Sequence, residues 1–155
     1  MSVDPPLVTG HAAAAALAVP PPGLAFAREE GRLDPAEFTA VVRASGLGRP
    51  VDDAARMAAM LAGANLVVTA RDGAGRLAGV ARSLTDFAYA CYLSDLCVDP
   101  AFQGEGIGRA LIAETKRILG PGCMLLLLSA PDPMTWYPKL GLERVANGFI
   151  IRRDG

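Results

Sequence analysis

The stretch from Ser94 to Lys116 constrains the fold of this chain most, because it combines a strand, a glycine loop and a helix. An apolar run ends at Val98, and Pro100 stops it because proline lacks the N–H that a strand ladder needs. From Ile107 onward, apolar residues recur at helical spacing with charged residues largely between them. The stretch therefore predicts a strand that turns through glycines into an amphipathic helix.

Three glycines, Gly104, Gly106 and Gly108, fall at the predicted N-terminus of that helix. A helix start exposes unpaired N–H groups and a partial positive charge, which together favour phosphate. Gln103 and Arg109 add hydrogen-bond donors on either side, and Arg109 also brings charge. The pattern indicates a pyrophosphate cradle, although a tight strand-to-helix turn that binds nothing would also favour glycine.

Two common phosphate loops do not fit these residues. The Walker A pattern ends in Gly-Lys followed by Ser or Thr, whereas Gly108 is followed by Arg109. The dinucleotide pattern G-x-G-x-x-G begins at Gly104 and Gly106, but Arg109 stands in place of the third glycine. Both of these nucleotide-binding interpretations are disfavoured.

The pattern that fits is Q-x-x-G-x-G, formed by Gln103, Gly106 and Gly108 after L-C-V-D-P. It resembles the acetyl-CoA-binding signature of the GNAT superfamily of acyl-CoA N-acyltransferases. A second segment, W-Y-P-K-L-G-L from Trp136 to Leu142, is similar to the family's F-Y-x-x-x-G-F segment. The resemblance covers roughly residues 24 to 152.

The resemblance implies how acetyl-CoA would be bound. Loop amides would hold the pyrophosphate, and backbone groups of the preceding strand would meet the pantetheine arm and the thioester carbonyl. No metal is expected. The residues expected to contact the cofactor are Leu96, Cys97, Val98, Gln103, Gly104, Glu105, Gly106, Ile107, Gly108 and Arg109.

The resemblance also implies catalytic residues. Tyr137 stands where many members carry the tyrosine that protonates the departing thiolate. An aromatic residue that only packs in the core would give the same sequence pattern. Ser94 aligns with a glutamate of polyamine-acetylating members, and serine is a poor base. A water relay through Ser94, or a carboxylate elsewhere in the chain, would therefore be required. Asp95 is one candidate for that carboxylate, and strand alternation predicts that it lies on the opposite face from Ser94.

Composition narrows the class of protein. A chain of 155 residues with 52% hydrophobic and 20% charged residues predicts a single compact domain. A net charge of −1 without a basic block argues against nucleic acid or an anionic membrane as partner, and no apolar run is long enough to span a bilayer. Three cysteines without a C-x-x-C pair are typical of a reducing cytoplasm.

The first 23 residues are rich in proline and alanine and are predicted to form an arm, with one short helix at 12–17. The alanine run resembles the core of a signal peptide, but no lysine or arginine precedes it. We therefore expect an arm at residues 1–23 and an acetyltransferase domain at residues 24–155.

The predicted fold class is α+β, with a mixed, mainly antiparallel sheet and a central, splayed parallel strand pair flanked by helices. Strands are expected at 24–28, 66–71, 76–83, up to Val98, and at 123–128, with a terminal hairpin at 143–152. Helices are expected from Asp34-Pro35, after Pro50, through the long amphipathic segment, and from Asp132-Pro133 to Gly141.

The expected function is a cytoplasmic N-acetyltransferase that moves acetyl from acetyl-CoA directly to a primary amine of a small molecule. A protein amine remains open as the acceptor. Two other functions also remain open. One is a non-catalytic acyl-CoA-binding regulatory module, which would keep the glycine loop without the acid and base. The other is a nucleotide-binding protein that uses the same loop. The terminal hairpin and the proline arm offer contacts for a possible homodimer.

Overall fold

The protein is described by a computed structural model that covers residues 20–130 and 136–155. The short helix predicted at 12–17 and the helix start predicted at Asp132-Pro133 lie outside the described residues. The boundary between an arm and a domain at residue 23 therefore stays a prediction. Leu24, just after that boundary, packs against the core.

The described elements follow the predicted order closely. The strands are β1 (Ala25–Arg28), β2 (Leu66–Arg71), β3 (Leu77–Thr85), β4 (Ala90–Val98) and β5 (Met124–Leu127). The α-helices are α1 (Pro35–Ser45), α2 (Ala54–Ala62), α3 (Ile107–Leu119) and the short α4 (Trp136–Lys139). A single 3-10 turn at Pro100–Phe102 separates β4 from the glycine loop. No helix among the described residues is both long and apolar enough to cross a membrane.

The sheet has the order β1-β2-β3-β4-β5, with antiparallel pairs up to β4 and a parallel pair between β4 and β5. The crossover through α3 explains the parallel pair, because parallel neighbours need a long connection. The mixed, mainly antiparallel α+β class is confirmed. The parallel pair was expected at the centre of the sheet, but it forms one edge of the sheet in the described part of the chain.

Helices cover the two faces of the sheet. On one face α3 packs on the strands through a cluster that includes Ile107 and Leu111. On the other face Phe38 and Val42 of α1 and Met57 of α2 form a second cluster. These side chains are almost wholly buried, and each contributes about 1.5–3 kcal/mol by leaving water.

Two helix starts follow from local sequence. Asp34 accepts a hydrogen bond from the N–H of Ala36 (2.9 Å), and Pro35 occupies the first helical position of α1. Asp53 accepts from the N–H of Arg56 (3.0 Å) at the start of α2. Both starts lie where the Asp and Pro signals predict them.

Gly79 on β3 fixes how closely the long helix approaches the sheet. A Cβ at this position would lie 3.0 Å from the Ile107 side chain and 3.1 Å from that of Leu111. It would also lie 3.0 Å from the carbonyl oxygen of Cys97. The missing side chain therefore lets the first turn of α3 rest directly on β3 and β4.

The predicted terminal hairpin is wrong. Residues 143–152 form no strand, and the side chains of Phe149 and Ile151 are 100% exposed. Asn147-Gly148 is a strong turn signal, but an isolated two-stranded hairpin is marginal without a sheet to pair with. This segment pairs with no strand among the described residues.

Candidate acyl-CoA site

The glycine loop presents free amides at the start of α3. Gly104 and Gly106 have φ values of 85° and 79°, a left-handed region that suits glycine. Gly106 is the N-cap residue and has no side-chain cap. Among the described residues, the backbone N–H groups of Gly106, Ile107, Gly108 and Arg109 donate to no protein acceptor. A helix start with unpaired donors is a ready seat for an anion.

The turn before the loop is held by Asp99. Its carboxylate accepts from the N–H of Ala101 (2.9 Å) and pairs with Arg76 (3.0 Å), and its own N–H donates to Ala78 O (2.8 Å). The bond from Ala101 and the Arg76 charge lower the pKa of Asp99. Arg76 also lies over the Phe102 ring, 5.0 Å from its centre. These contacts fix the direction in which the chain leaves β4.

Loop residues divide by exposure. Ile107 is 2% exposed and Gly108 is buried, so Ile107 anchors the helix in the core and both offer only backbone to a ligand. Gln103, Glu105 and Arg109 are exposed. A Cβ on Gly106 would meet only Pro21, at 4.0 Å, so the loop surface is open to a close approach.

The pairing between β4 and β5 ends halfway along β4. Their pairing runs from Ala90 with Met124 to Leu93 with Leu127 and then stops. β4 continues through Ser94 to Val98 without a strand partner on that side among the described residues. The pairing therefore stops where β5 ends, and the rest of the β4 backbone has no strand partner on that side among the described residues.

A β-bulge lies at the point where the strands separate. Leu93 pairs with Ser83 and Asp95 pairs with Arg82, so Ser94 has no opposite residue on β3. Before the bulge Leu93 packs with α3, whereas Cys97 beyond it packs with α1 and α2. A bulge shifts the alternation of side chains by one position. For this reason the predicted placement of Ser94 and Asp95 on opposite faces is wrong, since both side chains contact Arg82.

Asp95 occupies a position unlike that of a catalytic base. Its side chain is 0% exposed, and its two carboxylate oxygens pair with Arg49 and Arg82, each at 2.5 Å. A proton acceptor must reach its substrate directly or through one water. The burial and the two ion pairs therefore argue against Asp95 as the base.

Tyr137 lies on α4 and packs against the cluster around α3. Burial raises the pKa of its phenol, and a negative charge on Cys97 would raise this pKa further. The phenol therefore keeps its proton at neutral pH. This protonation state is the one required of a general acid.

Cys97 is 1% exposed, and burial raises the pKa of its thiol to about 12. At neutral pH the thiol is protonated and inert, so Cys97 can contribute backbone groups but no nucleophile.

The raised pKa of Cys97 predicts a loss of stability in alkali. Above pH 9 an unfolded chain releases the thiol proton and the folded chain retains it, so the unfolded state gains. We expect the free energy of unfolding to fall between pH 9 and 12, with about 1.4 kcal/mol per pH unit from this thiol. Urea unfolding at pH 8, 9.5 and 10.5 measures the fall. The free energy of unfolding of Cys97→Ala should fall less steeply with pH than that of the wild type, and equal slopes for the two proteins would contradict the assignment to Cys97.

The sequence reasoning missed three residues that shape this region. Gly79 and Arg82 both lie in β3, where a charged residue inside an apolar strand was the available signal for Arg82. Arg49 follows α1 in an irregular segment, and no sequence pattern there points to β4.

The residues present fit a CoA-type ligand. The chain offers free amides at the start of α3, an unpaired stretch of β4 among the described residues, and a phenol at Tyr137 that stays protonated at neutral pH. Such an arrangement can hold a diphosphate and a thioester arm at the same time. The fold and these groups therefore define the class as a mixed α+β domain whose glycine loop suits a diphosphate-containing ligand.

The chain belongs to the GNAT acetyltransferase family. The family model described as an acetyltransferase (GNAT) domain matches residues 62–144, which is more than half of the 155 residues. This span includes β2 to β5, the glycine loop and α4. The resemblance drawn from the two sequence motifs is confirmed.

Comparison with known proteins agrees with this membership. Histone acetyltransferase TAP1 of Glycine max is 35% identical over 76 residues, which are 48% of this chain and 33% of that protein. A crystal structure of a candidate acetyltransferase from Deinococcus radiodurans R1 superposes with a TM-score of 0.67 and 25% identity, over 85% of this chain and 90% of that one. An aminoglycoside N-acetyltransferase in complex with CoA gives a TM-score of 0.64 at 19% identity, over 84% and 94%. This chain spans about a third of the length of three curated plant relatives that it matches and about half of the length of two others.

Proposed function

We propose that this chain transfers acetyl from acetyl-CoA directly to a primary amine of a small molecule. The observation that carries the proposal is the row of unpaired amides from Gly106 to Arg109 beside the open edge of β4. The GNAT family membership supports it. The CoA complex of a neighbour with the same fold is consistent with it.

The binding role falls to backbone groups. The amides from Gly106 to Arg109 would hold the pyrophosphate of acetyl-CoA, with Gln103, Gly104 and Glu105 lining the approach. The backbone of Leu96, Cys97 and Val98 would contact the pantetheine arm and the thioester carbonyl. An N–H aimed at that carbonyl oxygen stabilises the developing negative charge, and a donor of this kind is worth about 3–4 kcal/mol in other enzymes.

Proton transfers fall to side chains and water. Tyr137 would donate its proton to the departing thiolate, because burial keeps the phenol protonated. The amine would lose its proton to a water bound at Ser94. The Ser94 hydroxyl already accepts a hydrogen bond from Arg82 (3.0 Å), so it orients such a water and is a poor base itself.

The proposal has two versions, which differ in the amine that accepts the acetyl group. A small amine is our first choice, and the name of the soybean relative, a histone acetyltransferase, favours a protein amine as the second. The test mixes wild-type protein with saturating acetyl-CoA and a panel of arylalkylamines, polyamines, aminoglycosides and lysine-containing histone peptides. Released thiol is followed with a chromogenic disulfide. Turnover with small amines alone is the expected result. Turnover with peptides alone would move the acceptor to protein, and no turnover with any amine would contradict the proposal.

We also propose that the protein is a homodimer formed by its C-terminal segment, residues 143–152. This segment exposes Phe149 and Ile151 completely, and the outer edge of β5 has no strand partner in the described part of the chain. An unpaired strand edge is a template for another strand. Pairing of this segment with β5 of a second copy would cover both surfaces in a two-fold arrangement.

The dimer is tested by light scattering during size-exclusion chromatography. Wild-type protein is expected at twice the chain mass, and the double variant Phe149→Asp, Ile151→Asp at the chain mass. Ala74→Asp in the exposed β2–β3 turn is the control and should remain dimeric. A monomeric wild-type protein at micromolar concentration would contradict the proposal.

We propose a cytoplasmic location. Cys91, Cys97 and Cys123 are all free and buried, which supports a reducing compartment. Fractionation of cells that express the tagged chain is the test, and recovery in the soluble cytoplasmic fraction is the expected result.

A further inference from the structure

The bulge at Ser94 is held by two arginines that come from outside β4. Arg49 donates from Nη2 to the Ser94 carbonyl oxygen (2.7 Å) and from Nε to the Asp95 carboxylate (2.5 Å). Arg82 donates from Nη2 to Ser94 Oγ (3.0 Å) and from Nε to the other carboxylate oxygen (2.5 Å). A bulged residue loses its partner across the sheet, and here guanidinium groups supply hydrogen bonds in its place.

The second bulge of the sheet needs no such support. It leaves Ala78 without an opposite residue on β2, because Ala70 pairs with Gly79 and Arg71 with Leu77. The Ala78 carbonyl oxygen accepts from the backbone N–H of Asp99 (2.8 Å). That bond continues the β3–β4 ladder, and no charged side chain bonds to Ala78 among the described residues. Charged side chains hold only the bulge at Ser94.

The buried charges beside Ser94 are not explained by a gain in stability. Asp95 is 0% exposed and the Arg82 side chain 7%, and buried ion pairs are often no more stabilising than apolar residues of similar size. The guanidinium fork of Arg49 reaches three different acceptors, including Gly48 O (2.8 Å), which fixes its plane. Such rigidity is of use where the backbone must be placed accurately.

We propose that Arg49 and Arg82 are positioning residues for acetyl transfer, acting through Asp95 and Ser94 to hold the β4 bulge in the shape that the thioester requires. The inference rests on the proposed function, because it assigns to Leu96, Cys97 and Val98 the backbone contacts that follow the bulge. Neither arginine is assigned a contact with acetyl-CoA.

Arg49 also links the bulge to the connection between α1 and α2. It lies in the segment between α1 and α2, whereas Arg82 binds the carbonyl oxygen of Met60 on α2 (2.9 Å). The α1–α2 connection and the C-terminal part of α2 are thereby tied to the same two residues of β4. A shift of those helices would move the thioester carbonyl contacts, and a displacement of about 1 Å can cost about 100-fold in rate.

The test uses Arg49→Met, with Arg49→Lys as the conservative variant. The side chain of Arg49 is 23% exposed and lies outside the strands, and Asp95 keeps its ion pair with Arg82 when Arg49 is replaced. Arg43→Met is the matched control, because Arg43 likewise pairs with an aspartate, Asp52 (2.9 Å), and with a backbone carbonyl oxygen, Val51 O (2.9 Å), without touching β4.

Two readouts are taken on the 155-residue chain. For Arg49→Met we expect kcat to fall about 30- to 100-fold while the Kd for acetyl-CoA changes less than about 3-fold. Arg49→Lys should recover part of kcat, and Arg43→Met should match wild type within about 2-fold. Hydrogen exchange of the β4 peptide at 92–98 should accelerate in Arg49→Met and not in Arg43→Met.

Each result decides between the positioning role and a merely structural one. If Arg49→Met keeps wild-type kcat, or loses kcat only in proportion to acetyl-CoA affinity or folded fraction, the positioning role is overturned. If the wild-type protein transfers no acetyl group, the proposed function fails separately. Hydrogen exchange then still decides whether Arg49 holds the bulge, and unchanged exchange in β4 overturns that claim as well.

Discussion

Gly106→Asp is expected to weaken acetyl-CoA binding about 100-fold. Gly106 caps α3 with φ at 79°, and the surface beside it is open. Aspartate tolerates this left-handed conformation better than most residues, and it places a negative charge where the pyrophosphate is proposed to lie. Two like charges about 4 Å apart repel by about 1–4 kcal/mol near a protein surface, which spans the predicted loss. Isothermal titration with acetyl-CoA measures the change.

A matched control removes the conformational cost from this comparison. Gly75 in the β2–β3 turn has φ at 81°, with no atom within 4 Å of a Cβ placed there, so Gly75→Asp pays the same backbone strain far from the loop. Both variants should lose about 1 kcal/mol of stability. If the Kd of Gly106→Asp for acetyl-CoA lies within 3-fold of the Kd of Gly75→Asp, the helix start does not hold the phosphates.

Tyr137→Phe is expected to lower kcat about 100-fold and leave the Kd for acetyl-CoA unchanged. General acid catalysis by a positioned side chain contributes about 100- to 10,000-fold. Because burial raises the pKa of the Tyr137 phenol above its ordinary value of 10, wild-type activity should persist to high pH. The alkaline limb that this phenol causes should vanish in the variant. Steady-state kinetics from pH 7 to pH 11 and equilibrium titration separate the two quantities.

Tyr89→Phe is the control, because Tyr89 is 73% exposed in the turn before β4. It should retain wild-type kcat. If Tyr137→Phe also retained it, the departing thiolate would take its proton from another donor. A wild-type protein that binds acetyl-CoA and shows no turnover would instead fit a non-catalytic binding module.

Local chemistry made much of the fold predictable. Asp34 and Pro35 fix the start of α1, because the carboxylate caps the helix and proline suits its first turn. Asp99 and Pro100 end β4 by the same rules. The glycines before Ile107 gave the position of the exposed amides. Each of these signals acts over a few residues, so neighbouring sequence is enough to read it.

Features that depend on distant residues were not predictable. The bulge at Ser94 arises from register with β3, and it overrode the alternation that placed Asp95 away from Ser94. The ion pairs of Asp95 join it to Arg49, 46 positions away, and no spacing rule connects them. The signal at Asn147-Gly148 was local, and the structure has neither a turn at these two residues nor a strand partner for the segment in the described part of the chain.

The most direct measurement of the central claim is an amide NMR titration of isotope-labelled wild-type protein with acetyl-CoA. The account predicts saturable shifts concentrated at the N–H groups of Gly106, Ile107, Gly108 and Arg109, together with Leu96 to Val98 on β4. Desulfo-coenzyme A should reproduce the loop shifts, because it keeps the pyrophosphate. Saturable shifts that leave these amides unchanged, or no shifts at millimolar acetyl-CoA, would contradict the account.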